Sequence, residues 1–427
     1  MPKRSYFDEV TELDTTWNDV LTSGFDSAPD VKWLQGPVFC VGSGGSLALA
    51  KMWQFLHEHY NLGIAKAMTP YEFAHTNVSP DLVVIFSAGG KNHDILDVFR
   101  DAKEKNCKIL IFTTTKDSPL TRLAITAPDN TYVVCPTVNT PKDGFLAVNS
   151  LIATSCQIAQ IEHRLFGSTL DLIKSPVASA IQDHKNGYVH SSKVTFQIIA
   201  SEWGYPAGLD FEARLAESGT GNCFLTDPRN FGHGRFLWLE KNKTTTTVVL
   251  FYTPLSRSFI KRFNNLLPGD VPRLLIESPY ENVLGAIYCI VRSILLMRDI
   301  AEIQKVDPGK PDVPDWGREL HSIKFKRIKK KSAPVTYPAI TQPFGSVVMD
   351  MDGTIVNTKD RFKPIRDEIV SEIERLLSEG IRIGIATGRG DSALELLRKQ
   401  LNEKFHDVII VGLYNGTVLM NLSDDLK

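Results

Sequence analysis

The chain predicts an α/β protein made of two tandem, doubly wound parallel-sheet domains followed by a partial third α/β module. Three observations carry this. Strands that are apolar throughout alternate with helices between residues 38 and 114, the alternation restarts near Lys193, and a last apolar strand at 347–350 follows a basic, proline-bearing stretch. A strand without polar alternation is buried on both faces, the mark of a parallel sheet wrapped in helices. At 427 residues the chain exceeds one core, since a domain holds roughly 150.

Residues up to about Ser23 form a helical lead-in, with Val10, Leu13, Trp17, Val20 and Leu21 at helical spacing. The first strand, 38–41, breaks into Gly42-Ser43-Gly44-Gly45-Ser46 before a helix resumes at Leu47. Glycines admit a ligand close to the backbone, the first helical amides favour an anion, and Ser43 and Ser46 add hydroxyls, so Gly42, Ser43, Gly44 and Ser46 are candidate phosphate contacts. A second strand, 82–86, ends in Ser87-Ala88-Gly89-Gly90-Lys91-Asn92; an amphipathic helix and a third strand at 108–114 follow. Ligands of such sheets gather beyond the carboxyl ends of the strands, where both loops lie. Pro141-Lys142-Asp143-Gly144-Phe145 then starts a long apolar helix through Leu151, Ile152 and Ile158.

In the second run, strands are expected at 194–200, 236–239, 247–252 and 271–276, with Ser201-Glu202-Trp203-Gly204-Tyr205-Pro206 in place of the glycine loop. The greasy run 283–297 contains Arg292 and is too short to span a bilayer, so it reads as a buried helix. The dense basic run 324–331 reads as a solvated junction rather than a nucleic-acid or membrane patch.

A net charge of -1 supplies no field to draw the chain to nucleic acid or an anionic membrane, which leaves small neutral or anionic metabolites as partners. The six cysteines are scattered, without a Cys-x-x-Cys pair, and no apolar leader opens the chain; reduced thiols in a cytoplasmic protein are expected.

The two strand-end loops give residues 14–175 a resemblance to the sugar isomerase (SIS) domain, whose members hold phosphosugars between one Gly/Ser loop and one Ser-rich loop. The resemblance implies a substrate site at Ser87, Gly89, Lys91, Asn92 and Lys142 as well as the first loop, although Gly89 and Asn92 stand where hydroxyl residues are usual. Residues 184–324 are expected to be a second, degenerate SIS domain. The tandem pair resembles the isomerase half of glucosamine-6-phosphate synthase and the related deaminases and deglycases. In that family a Glu on a helix moves a proton between sugar C1 and C2, and a His-Gly pair further on assists ring opening. Arg214-Leu215-Ala216-Glu217 followed by His233-Gly234 has the family's spacing, which implies Glu217 as proton shuttle and His233 as ring-opening acid/base. A carboxylate pushed toward neutrality suits the first task and an imidazole the second. Arg214 and Ala216 replace family lysines, which excludes an imine at this helix. The family's closing lysine falls to Arg318 or Lys310.

Residues 325–343 read as a linker, and 344–427 as an incomplete hydrolase module. Val348-Met349-Asp350-Met351-Asp352-Gly353-Thr354 and Ile385-Ala386-Thr387-Gly388-Arg389 resemble the first two motifs of the haloacid dehalogenase (HAD) superfamily, large-cap branch. The resemblance implies Asp350 as nucleophile, Asp352 as general acid/base, Thr387 as a phosphoryl donor, and Mg²⁺ held at Asp350 and Asp352. Asp424 and Asp425 come too soon after the third strand to complete that site. The sum is a phosphosugar isomerase or deaminase-like enzyme joined to a phosphatase module, expected to work as a homodimer or higher homo-oligomer. The alternative is a regulatory protein that binds a phosphosugar or sugar nucleotide without converting it.

Overall fold

The structure is a computed structural model that describes residues 4–24, 29–167, 175–184, 195–324, 345–357 and 363–425; the linker expected at 325–343 lies outside them. The chain divides into two compact units, residues 1–328 and 329–427.

In the first unit one sheet comprises β1 (Val38–Val41), β2 (Ala65–Met68), β3 (Leu82–Phe86), β4 (Lys108–Phe112) and β5 (Thr131–Val134). Its order is β2-β1-β3-β4-β5, and every pair is parallel. A second sheet comprises β6 (Thr195–Ala200), β7 (Asn222–Thr226), β8 (Thr246–Tyr252) and β9 (Arg273–Glu277). Its order, β7-β6-β8-β9, repeats that of the first four strands and is again all parallel. The duplication expected from the alternation is therefore present. In each copy the order reverses beside the first strand, and that reversal opens a crevice at the carboxyl edge.

The two sheets share one core. Trp53 and Leu56 of helix Gly45–His59, Phe211 and Leu215 of helix Tyr205–Ser218, and Ile287 and Ile294 of helix Asn282–Gln304 all belong to it. The last helix is the predicted greasy run. No helix among the described residues is long and apolar enough to cross a membrane. The unit also takes in residues before position 14, because Tyr6 is fully buried and its hydroxyl donates to the carbonyl of Ile294 at 2.9 Å.

One expectation is corrected. Residues 236–239, read as a strand from four successive large apolar side chains, belong to helix Phe236–Asn242, and the strand of that position is β7. Phe236 and Leu237 are 45% and 59% exposed while Leu239 is buried, so the run is a surface helix with one residue in the core and not a core strand.

Helix Gly45–His59 of the first copy packs against helix Tyr205–Ser218 of the second, and a buried ion pair within the latter ties it to other segments. Arg214, 2% exposed, donates from Nε to Asp210 Oδ2 at 2.6 Å, from Nη2 to the Ala147 carbonyl at 2.6 Å and from Nη1 to the Tyr6 hydroxyl at 3.4 Å. Removing one partner of such a pair leaves a bare buried charge. Arg214→Ala should lower unfolding stability by roughly 3–5 kcal/mol. Denaturant titration should show Arg214→Ala and Asp210→Ala each costly and the double variant costing less than their sum.

The second unit holds β10 (Ser346–Asp350), β11 (Arg382–Ala386), β12 (Ile409–Leu413) and β13 (Val418–Asn421) in that order, the first three parallel and β13 antiparallel to β12. Amphipathic helices Asp367–Ser378 and Asp391–Gln400 supply Ile373, Leu377, Leu394 and Leu397 to a core with Ile383 and Ile385.

Candidate functional site

The loop after β1 is built on two glycines with different duties. A Cβ at Gly42 would lie 2.4 Å from the Ser46 carbonyl, so the turn closes only without a side chain. Gly44 sits at φ +55°, and an atom in the place of its Cβ would be 2.9 Å from Glu217 Oε1. Glu217 comes from the last turn of helix Tyr205–Ser218 in the other copy. The structure thus brings together two features that the sequence separates by more than 170 positions. Gly45 continues the contact, its Cβ position lying 3.5 Å from Ala147 and 3.8 Å from Asp210 Oδ1. Ser43 is exposed and Ser46 half-buried at the helix start.

Glu217 is held above the usual carboxylate range. Desolvation by the surrounding protein is the main cause, and the charges of Asp210 and Glu212 add to it against the pull of Arg214. The side chain still reaches solvent, as a base that must meet a substrate does.

Ala147 links this corner to a cavity of about 310 Å³ beyond the ends of β3 and β4, lined among others by Gly89, Thr114, Thr115, Lys142, Asn149 and Ser150. That volume lies at the lower end of small-molecule sites. Gly89 opens freely into it, with nothing within 4 Å of its Cβ position. Two predicted loop residues are placed otherwise: Lys91 is exposed, and Asn92 caps helix His93–Glu104, its Oδ1 accepting from the Asp94 amide at 2.8 Å. Ser87 is half-buried, with its amide on the Phe112 carbonyl. The hydroxyls of Thr113, Thr114 and Thr115 all lie within 3.2 Å of the Ala88 carbonyl. One carbonyl has two lone pairs, so three hydroxyls and an amide cannot all be satisfied there. This threonine run is the hydroxyl source that the second loop lacks, and its signal in the sequence was the strand-end triplet itself.

Asp143 accepts from the amides of Val148, Asn149 and Ser150 at 3.0, 2.9 and 2.9 Å, so its carboxylate already occupies the start of helix Asn149–Phe166. Behind it, Glu9 accepts from the Gly144 amide and is fully buried. Burial pushes its pKa up to about 7. Lys142 is an exposed wall of the cavity.

His233 lies elsewhere. It is exposed in the turn Phe231–Arg235 and lines a separate cavity of about 800 Å³ with Arg229, Phe259 and Arg262. None of the described contacts joins it to Glu217. Arg318 is exposed on helix Asp315–Ser322 and pairs with Asp315, and Lys310 pairs with Asp307 at 3.7 Å. Neither residue lines the cavity.

In the second unit Asp350 ends β10 beside Ala386 of β11, which puts it next to Thr387 across the carboxyl edge. Thr387 is buried and its Oγ1 accepts from the Arg389 amide at 3.1 Å. Arg389, a motif residue given no role from sequence, is buried and grips both oxygens of Asp352, with Nε at 2.9 Å from Oδ2. The two carboxylates expected to hold Mg²⁺ therefore do not fit it as placed, because Asp352 is spent on a bidentate guanidinium. No group of three or more metal-ligating side chains occurs among the described residues.

Residues 35–153 match the SIS domain family, and residues 347–426 match the haloacid dehalogenase-like hydrolases. The chain joins a SIS-type α/β unit to an HAD-like segment. Similar solved structures include glucosamine-6-phosphate deaminase from Thermotoga maritima, at 15% identity and TM-score 0.55 over 72% of this chain and 96% of that one. The C-terminal domain of glucosamine-fructose-6-phosphate aminotransferase from Francisella tularensis matches at 15% identity and TM-score 0.56, over 73% and 99%. Tagatose-6-phosphate ketose/aldose isomerase from Escherichia coli matches at 14% and 0.54, over 72% and 95%. At such identities the likeness is one of fold. No curated protein sequence matches the chain.

Two outcomes are expected. Glu9 keeps its proton in the folded chain to about pH 7, whereas unfolded it would lose it near 4.5. The folded state therefore binds more protons across that window, and stability should fall as pH rises through it by up to about 1.4 kcal/mol per pH unit for this group. Urea midpoints measured across the window should show a shallower fall in Glu9→Gln. In the second unit, Asp352 cannot act as an acid while both oxygens accept from Arg389. The full chain should hydrolyse p-nitrophenyl phosphate no faster than its Asp350→Asn variant; robust turnover lost in that variant contradicts this.

Proposed function

We propose that the chain binds a hexose or hexosamine phosphate at the carboxyl edge of the first sheet and that Glu217 transfers a proton between the C1 and C2 carbons of the opened sugar. The observation that carries this reading is the approach of Glu217 Oε1 to the glycine loop, 2.9 Å from where a side chain on Gly44 would begin. The raised pKa of the carboxylate is what a base for a proton beside a carbonyl requires. Glu217 takes the C2 proton of the open aldose as the carbonyl electrons move onto O1, a proton passes from the C2 hydroxyl to O1 across the enediol, and Glu217 returns its proton to C1 as the carbonyl re-forms at C2. Thr114, Thr115 and Lys142 in the adjoining cavity are suited to hold the phosphate end. For the second unit the reading is a phosphate-ester-directed module with Asp350 beside Thr387.

A second reading, ligand binding without turnover, is favoured by one observation: His233 lines a cavity other than the one next to Glu217. Proton NMR of a panel of hexose and hexosamine phosphates in D₂O separates the two. Wash-out of the C2 proton that falls at least a hundredfold in Glu217→Gln supports transfer, and saturable binding without wash-out supports the sensor.

A further inference from the structure

The second copy has a crevice of its own. At the carboxyl edge of β6 and β8 lies a cleft of about 570 Å³, lined among others by Lys51, Phe55, Ser201, Tyr205, Arg229 and Ser256. Its position repeats that of the first site, at the strand-order reversal of a parallel sheet and at the start of the helix that follows the first strand.

The relation between the sites is reciprocal. Helices Gly45–His59 and Tyr205–Ser218 run antiparallel, since Gly44 meets Glu217 at one end and Lys51 lies over the Tyr205 ring, 5.6 Å from its centroid, at the other. The first site takes the start of the first helix and a carboxylate from the end of the second. The cleft takes the start of the second helix and an ammonium from the body of the first. Tyr205 and Glu217 are twelve positions apart, about 18 Å at 1.5 Å per residue.

The lining has the chemistry of a ligand seat. Lys51 donates to Gln54 at 3.0 Å and sits 4.9 Å from the Phe55 ring centroid, and burial lowers its pKa. Ser201 and Ser256, both buried, share a hydrogen bond of 2.7 Å on the floor. Glu202 and Asp227 also line the cleft, Asp227 having one oxygen on the amides of Arg229 and Asn230. Glu202 is held at φ +41°, a costly conformation for a residue with a Cβ. Two cations, two carboxylates, a hydroxyl pair and aromatic rings fit a molecule that carries both an anionic group and hydroxyls; a bare anion would meet the carboxylates with nothing to give them. The cavity of His233 shares Arg229 and Phe259 with this cleft.

We propose that this cleft is a second small-molecule site, distinct from the one beside Glu217, which binds a phosphorylated polyol through Lys51 and Arg229 at its anionic end and Glu202 and Asp227 at its hydroxyls. The test is calorimetric titration of the full chain with glucose 6-phosphate, fructose 6-phosphate and inorganic phosphate. One of the two sugar phosphates should retain a binding event in Gly89→Leu, which fills the first cavity, and that event should weaken at least tenfold in Lys51→Gln and again in Arg229→Ala, an exposed position that leaves folding intact. Inorganic phosphate should bind the cleft at least tenfold more weakly. Absence of binding in Gly89→Leu for both sugars, or binding indifferent to Lys51 and Arg229, overturns the second site, and equal affinity for inorganic phosphate overturns its polyol character. Loss of C2 exchange in Glu217→Gln with the cleft still binding would separate this proposal from the one for the first site.

Discussion

The buried Arg214–Asp210 pair is the interaction on which the first unit turns. A guanidinium taken out of water is tolerable only when its donors are met, and here they reach Asp210 on its own helix, the Ala147 carbonyl ahead of helix Asn149–Phe166, and the hydroxyl of Tyr6 near the N-terminus. Asp210 is met in turn by the Ser293 hydroxyl of the core helix Asn282–Gln304. Segments from four parts of the chain are thus pinned at one point, three residues before Glu217. A lysine here would bring a compact charge without the planar fork that reaches separate partners. Arg214 therefore serves the architecture, pinning helix Tyr205–Ser218 one turn before Glu217.

The same pinning makes a polar site inside an apolar fold possible. The helix pair that carries Glu217 and Gly45 is buried on its packing face by Trp53, Leu56, Phe211 and Leu215, so the pair meets the crevices at its ends and, through Lys51 and Phe55, along one side. Chemistry is confined to helix termini and strand ends, where backbone groups lack internal partners. Asp143 spends three amides of one such terminus before any ligand arrives, which leaves hydroxyls and Lys142 to meet an anion in that cavity.

Much of this was legible in the sequence. Both parallel sheets announced themselves through strands with no polar face, as in 82–86, whereas the role given to Glu217 from its spacing to the His-Gly pair stays a proposal, because His233 lines a separate cavity. The edge strands were not legible, because β2 reads Ala-Lys-Ala-Met and β7 reads Asn-Cys-Phe-Leu-Thr, each too short or too mixed to separate from a loop. Residues 236–239 misled for the converse reason, three of the four apolar side chains being at least partly turned to solvent on a helix. Glu9 and the pairing of Arg389 with Asp352 had no local signal, since each depends on groups brought in from more than thirty positions away.

The missing glycine loop of the second copy shows how sequence and geometry part company. In the first copy the turn after β1 places a glycine at φ +55°, where a side chain is disfavoured. In the second copy the turn after β6 also enters the positive-φ region, at +41°, but with Glu202. Glycine is retained instead at Gly204, where a Cβ would fall 2.4 Å from the Phe251 carbonyl of β8. The two turns thus meet different constraints: the positive-φ position of the second copy carries a charged side chain, while the position pressed against β8 admits only glycine. A motif search for Gly/Ser loops sees a degenerate copy. The backbone nevertheless opens a crevice at the equivalent strand-order reversal, lined by Lys51 from the first copy's helix, much as Glu217 of the second copy's helix approaches the first copy's glycine loop.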